Sequence, residues 1–257
     1  MGSKSILSTL CRIASLLVGL CASLPLNAQT TGTPASHQPK WTFVPFVGCK
    51  SDGQVGPVEA PRGTNKRVAI PAASASRLAY YESKFGSGVL APRGWHCFCT
   101  YGSNGSNLFV SPRAIGSGEL FSEQWKGFDG PAIQISTIFG DTSGRFSVAR
   151  TIARVFPVHS SFVKDVVAEG IEPASEFPFG PYLGDKLKYI TTEMVEFQTP
   201  ANADGMGTAS RLLKNGDLIS GLAILSGEEL NLTSLHVRLP PELLDLVPLI
   251  VRQAERD

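Results

Sequence analysis

Beyond its first 25 residues the sequence has no apolar run of membrane length. The longest, Leu218–Leu225, is broken by Ser220 and Gly221 and suits a buried strand. No transmembrane anchor is therefore expected once the amino terminus is removed. Charge of one sign is also missing, with 23 Lys and Arg against 22 Asp and Glu. Without a basic excess the chain lacks the electrostatic footprint of a nucleic-acid partner or an anionic membrane surface. No other partner is specified.

Local signatures of catalysis are absent too. The Gly-x-Ser-x-Gly elbow, the His-Glu-x-x-His pair, the phosphate loop and the dinucleotide fingerprint do not occur, and no cofactor is expected. Ser161-Phe162-Val163-Lys164 resembles the first motif of serine penicillin-binding enzymes, but no Lys-Thr-Gly follows it, and Ser161 reads more simply as a helix cap. His159 and His236 stand alone and read as structural histidines. Glu193 and Glu196 fall on opposite faces of a regular strand, which separates them as a glycosidase carboxylate pair.

What is present begins at the amino terminus. Lys4 and Arg12 are followed by the apolar stretch Ile13–Leu24, then Pro25 and Ala28, with no acid before position 29. Basic, apolar and small-residue regions in that order predict a cleavable secretory signal peptide over residues 1–28. The apolar stretch would span roughly 18 Å as a helix, short of a bilayer core of roughly 30 Å. Leu20, where a small residue is needed, argues against lipid attachment at Cys21. The expected location is periplasmic or secreted, in a bacterium. Cleavage would lower the basic count from 23 to 21 and move the formal charge from +1 to −1. A leader rich in Thr, Pro and Ser follows over residues 29–40. The mature region is then 41–257, as one domain or two packed subdomains dividing near 111–140.

Three cysteines remain after cleavage: Cys49, Cys97 and Cys99. An odd number in an oxidising compartment predicts one disulfide and one spare thiol. Cys97 and Cys99 share one face of a strand with parallel side chains, which disfavours a bond between them. Cys49 is thus expected to pair with one of the two, with Cys97 taken ahead of Cys99. The alternative is a metal site of Cys49, His96, Cys97 and Cys99 suited to Zn or Cu(I). Against it, His96 points away from both cysteines on a regular strand.

The pattern of apolar residues predicts an α+β fold: antiparallel sheets with helices packed on one side, ending in C-terminal hairpins and a terminal helix. Strands are expected at 41–47, 67–70, 95–101, 107–111, 132–139, 187–199, 208–213, 217–225 and 230–238. Helices are expected from Pro71 through Lys84, over 144–156, over 161–169, and from Pro240 or Pro241 to about Ala254. Asn215-Gly216 is a hairpin-turn dipeptide. The turn at 102–106, flanked by aromatic and amide side chains, makes Trp95, Tyr101, Ser103, Asn104 and Asn107 a candidate ligand-binding loop. Asn104 and Asn231 head glycosylation sequons.

These features predict an exported protein that acts by binding or by structural interaction in the cell envelope, without catalysis. The alternative is an exported hydrolase whose site no local motif reveals.

Overall fold

A computed structural model describes residues 41–256; the expected signal peptide and leader lie outside the described residues. In chain order its regular elements are β1 (Thr42–Gly48), β2 (Ser51–Gly53), β3 (Asn65–Val68), α1 (Ala72–Ala75), β4 (Leu78–Glu82), β5 (Val89–Pro92), β6 (His96–Gly102) and β7 (Gly105–Ser111). There follow α2 (Ser117–Leu120), β8 (Ala132–Ile138), α3 (Arg145–Val155), α4 (Ser160–Ala168), β9 (Lys186–Tyr189), β10 (Met194–Thr199), β11 (Ile219–Ser226), β12 (Asn231–Arg238) and α5 (Val247–Ala254). The fold is α+β with two sheets, and its C-terminal hairpin region runs into a terminal helix, as the sequence predicts.

The larger sheet has the strand order β2-β6-β7-β8-β12-β11-β10-β9. From β6 through β9 every neighbour is antiparallel, and only the short β2 runs parallel to β6. Because strand side chains alternate, each strand offers this sheet two faces. Leu108, Val110, Ile133, Ile135, Leu235 and Val237 face the main core, where α5 and a smaller sheet cover them. That smaller sheet has the order β3-β1-β4-β5, with β1 and β4 parallel.

The second face is covered in two separate places. Towards β10 and β11, the apolar stripe of α3 (Val148, Ala149, Ile152) packs with Val163 and Val166 of α4 on Val195, Ala223 and Leu232. Towards β7, a satellite cluster gathers Phe109, Leu120, Phe128 and Leu212, with Trp125 packed against it. Between the two covers the sheet stays open.

Several elements differ from the sequence pattern. The helix expected from Pro71 through Lys84 stops after the single turn α1, and the chain becomes β4. Leu78, Ala79, Tyr80 and Tyr81 are all buried, because β4 lies between β1 and β5 with both faces covered. An apolar run buried on both sides matches helical spacing as well as it matches a strand. The strand expected at 208–213 is a series of turns. There Thr208 and Ser210 donate their hydroxyls to the carbonyls of Gly205 and Gly207, the local competition that such residues offer to regular structure. Asn215 makes no hairpin; its side chain bonds Asp129 O and Asp217 N. The run 187–199 folds back on itself as β9 and β10, and the terminal helix begins with a 3₁₀ segment over Pro241–Leu246.

Cys49 is bonded to Cys97, with Cα atoms 5.4 Å apart. The bond ties the end of β1 to β6 and so joins the two sheets across the core. Cys99 is the free cysteine among the described residues, and burial pushes its thiol pKa up. Cross-linking residues 48 apart in sequence lowers the entropy of the unfolded chain by an amount worth roughly 4 kcal/mol on the loop-closure model. The double variant Cys49→Ala/Cys97→Ala should therefore lose about 2–4 kcal/mol in urea denaturation, and dithiothreitol should destabilise the parent but not the variant.

Candidate functional site

The open part of the second face carries two rows of side chains that run across the strands. Register pairs Thr100 with Asn107, Asn107 with Ser136, and Ser136 with Ser234. One step along, Phe98 pairs with Phe109, Phe109 with Gln134, and Gln134 with His236. A polar floor is thereby laid over β6, β7, β8 and β12. All but β6 are flanked on both sides by antiparallel partners, so the backbone beneath the floor is engaged in ladders and the side chains are what a ligand meets.

The floor is ordered before anything binds. Ser136 Oγ donates to Asn107 Oδ1 at 2.7 Å, and Gln134 Nε2 donates to Ser136 Oγ at 2.9 Å and to Asn107 Oδ1 at 3.3 Å. Gln134 Oε1 accepts from the Arg211 amide at 2.7 Å, which fixes the amide group's orientation and anchors the turn above it.

Three segments wall the floor into a cavity of about 530 Å³. One flank of α3 contributes Ser147, Arg150 and Thr151; the turns at 206–211 contribute Met206 and Arg211; the segment after α2 contributes Phe121 and Trp125. Trp125 stands edge-on to Phe109 and Phe128, with centroids 5.9 and 5.6 Å away, and the Arg211 guanidinium lies 5.7 Å from its ring centre. Phe121 is 58% exposed at the rim. Arg150 is held by an ion pair with Glu172. Among the described residues no Asp or Glu lines the cavity.

Two polar atoms at the cavity have no partner although both are buried: Trp125 Nε1 and His236 Nδ1. An unpaired buried polar atom costs about 1–3 kcal/mol, so such atoms are unusual. His236 is 2% exposed, and burial pushes its pKa down to about 4, against a hydrogen bond to the Gly207 backbone. Its ring lies 5.4 Å from that of Phe197. Gly221, between them in the register, makes this possible, since a Cβ there would lie 2.3 Å from the Phe197 ring.

Two hydrogen-bonded supports hold the walls. Arg238, fully buried at the end of β12, donates to the carbonyls of Phe128, Gly130 and Leu213 at 2.7, 3.1 and 2.6 Å. Burial lowers its pKa while the charges of Asp217 and Asp129 oppose the shift. Asp185 accepts from Thr199 Oγ1 and the Met206 amide, both at 2.7 Å, and Thr199 accepts from the Gly207 amide at 2.8 Å.

Of the loop residues expected from sequence, Asn104 and Asn107 line this cavity. Trp95 packs in the main core, on the other face. Tyr101 stacks on Phe85 at 3.8 Å and donates its hydroxyl to Gly56 O at 2.7 Å. Ser103 is exposed in the turn. The disulfide occupies two of the four residues of the alternative metal set, and His96 is exposed. Ser161 makes no side-chain cap and is exposed, as is Lys164. Glu193 lies 3.7 Å from His159, while Glu196 pairs with Lys188 at 2.7 Å, so the two acids have separate partners.

Gln134, Ser136, Ser234, Trp125, Arg150 and Arg211 are site residues that no motif signals. A trace of them is in the alternation of β8 and β12, where polar side chains interleave with Ile133, Ile135, Leu235 and Val237. Comparison of the chain with protein-family models, with curated proteins and with solved structures gives no match.

Native His236 stays neutral down to about pH 4, whereas the unfolded chain protonates near 6.5, so the unfolded state binds more protons between these values. Its contribution to stability is complete above about pH 7.5 and should fall by about 3 kcal/mol as pH drops from 6.5 through 4. In His236→Gln, urea midpoints measured from pH 7.5 to 4 should lose that part of the acid slope. Arg238→Met takes the donor from Gly130 O and Leu213 O, while Phe128 O keeps the Leu213 amide, and should cost about 2 kcal/mol or more, read by the same denaturation.

Proposed function

We propose that this chain is an exported binding protein whose cavity on the second face of the large sheet holds a small, hydroxyl-rich ligand. The observation that carries the reading is the polar floor itself, in which Asn107, Gln134 and Ser136 are already hydrogen-bonded to one another beneath a cavity that Trp125 helps to wall. A ligand with several hydroxyl groups offers both donors and acceptors to Asn107, Gln134, Ser136 and Ser234, and its apolar face can lie on Trp125. A cavity of about 530 Å³ falls within the roughly 300–1,000 Å³ usual for small-molecule sites.

Binding is favoured over hydrolysis by the makeup of the same cavity. Ser136, Ser234 and His236 are present, but no carboxylate lines it to orient the histidine, and an imidazole with a pKa near 4 is a weak general base. Export is supported by the amino-terminal pattern and by the Cys49–Cys97 disulfide, since such bonds persist in oxidising compartments. Among the described residues no helix is long and apolar enough to cross a membrane.

A thermal-shift screen of monosaccharides and their acids checks the reading. At least one should raise the melting temperature, equivalent to about 2.7 kcal/mol at a hundred times its dissociation constant. Trp125→Ala and the double variant Asn107→Ala/Gln134→Ala should each abolish that shift while remaining folded by circular dichroism. A shift that survives in both folded variants would place the ligand elsewhere and reject the proposal.

A further inference from the structure

A second cavity of about 290 Å³ adjoins the first, and the two share Arg150, Thr151, Met206 and Ala209. Its far end is formed by Arg154 and Tyr182, with the guanidinium 4.0 Å from the ring centre. On α3, Ser147, Thr151 and Arg154 follow one another at spacings of four and three, so a single helix flank borders both cavities over a rise of roughly 10 Å. The floor described above is therefore one end of a longer trough, with an aromatic ring and a guanidinium at each end: Trp125 with Arg211, and Tyr182 with Arg154.

Charge along this trough is one-sided. Arg150, Arg154 and Arg211 border it, against Glu176 as its one bordering acid among the described residues. Arg150 is neutralised by Glu172. Arg154 bonds a carbonyl, Gly180 O at 3.2 Å, and neither it nor Arg211 has a carboxylate within ion-pair distance among the described residues. Two guanidinium groups without counter-charge, each beside an aromatic ring, are suited to planar carboxylate groups.

We infer that the trough binds an acidic oligosaccharide, with one sugar ring on the polar floor beside Trp125 and at least one further ring beyond Arg150, against Tyr182. This rests on the binding role proposed above and specifies its ligand. Amide and hydroxyl side chains on the floor match the paired hydroxyls of a sugar ring. A peptide bound by strand addition would need a free sheet edge, and the strands under the floor have none. A polyphosphate would be cradled by backbone amides at a helix amino terminus, whereas α3 turns its flank to the trough.

Calorimetry on the purified protein tests this with galacturonate and trigalacturonate, mannuronate and trimannuronate, cellotriose, maltotriose and ADP. One acidic trimer should bind about tenfold or more tightly than its monomer and than either neutral trimer. Arg154→Ala, at a half-buried position on the flank of α3, should bring that trimer close to the monomer while leaving monomer affinity unchanged. Arg211→Ala should weaken the acidic monomer and trimer alike, and added salt should weaken the acidic ligands selectively. Equal affinity of neutral and acidic trimers, or an unchanged trimer-to-monomer ratio in Arg154→Ala, overturns the inference but leaves the binding role standing if Trp125→Ala still abolishes binding. Binding of ADP alone overturns the sugar assignment. No binding by any of these probes, in a protein that the monosaccharide screen shows to bind nothing, overturns both.

Discussion

Ile133, Ile135, Leu235 and Val237 point to one side of the large sheet while Gln134, Ser136, Ser234 and His236 point to the other, and the remainder of the architecture depends on that alternation. Side chains in a strand reverse direction at each residue, so β8 and β12 could bury their apolar set only by directing their polar set into the space opposite. A register shift of one residue would put the polar groups into the main core. Pairing of β8 with β12 in the centre of the sheet thus fixes the dry core and the polar floor at once.

A polar floor in the middle of a sheet would ordinarily be solvated or covered. Here two apolar covers meet the sheet on either side of it, with α3 and α4 over β10 and β11, and the Phe109, Phe128 and Leu212 cluster over β7. Their separation leaves the cavity. Arg238 holds one wall by binding three carbonyls at once, and the Asp185–Thr199 pair holds the turn on the opposite side. Both supports are hydrogen-bonded on several sides, which for Arg238 is what makes a buried charge tolerable.

Elements whose polar and apolar residues alternate, or recur at helical spacing, could be read from the sequence. The hairpin β6–β7, strand β8, helices α3 and α4, and the β11–β12 pair all lie where alternation or helical periodicity places them. β4 could not be read, because both of its faces are covered and its apolar run has no period of its own. The segment 208–213 escaped for a different reason: Thr208 and Ser210 have strand-compatible types but spend their hydroxyls on neighbouring carbonyls. Two of the five candidate loop residues line the cavity. Asn104 and Asn107 reach it, while Trp95 and Tyr101 serve the opposite face, a division set by which side of β6 and β7 the helices cover.

The sequence by itself determined the short-range facts: a run of basic, apolar and small residues at the amino terminus, the alternation of β8 and β12, and the placing of Cys97 and Cys99 on one face of a strand, which disfavours a bond between them. Tertiary structure decided the bond from Cys49 to Cys97, because the parallel pairing of β2 with β6, which sets Ser51 beside Cys99, brings those two Cα atoms to 5.4 Å. It also decided the site. Trp125, Gln134, Arg150, Arg211 and His236 are scattered over more than a hundred residues with no common spacing, and they meet because strand order in the sheet, unlike order in the chain, puts β7, β8 and β12 side by side.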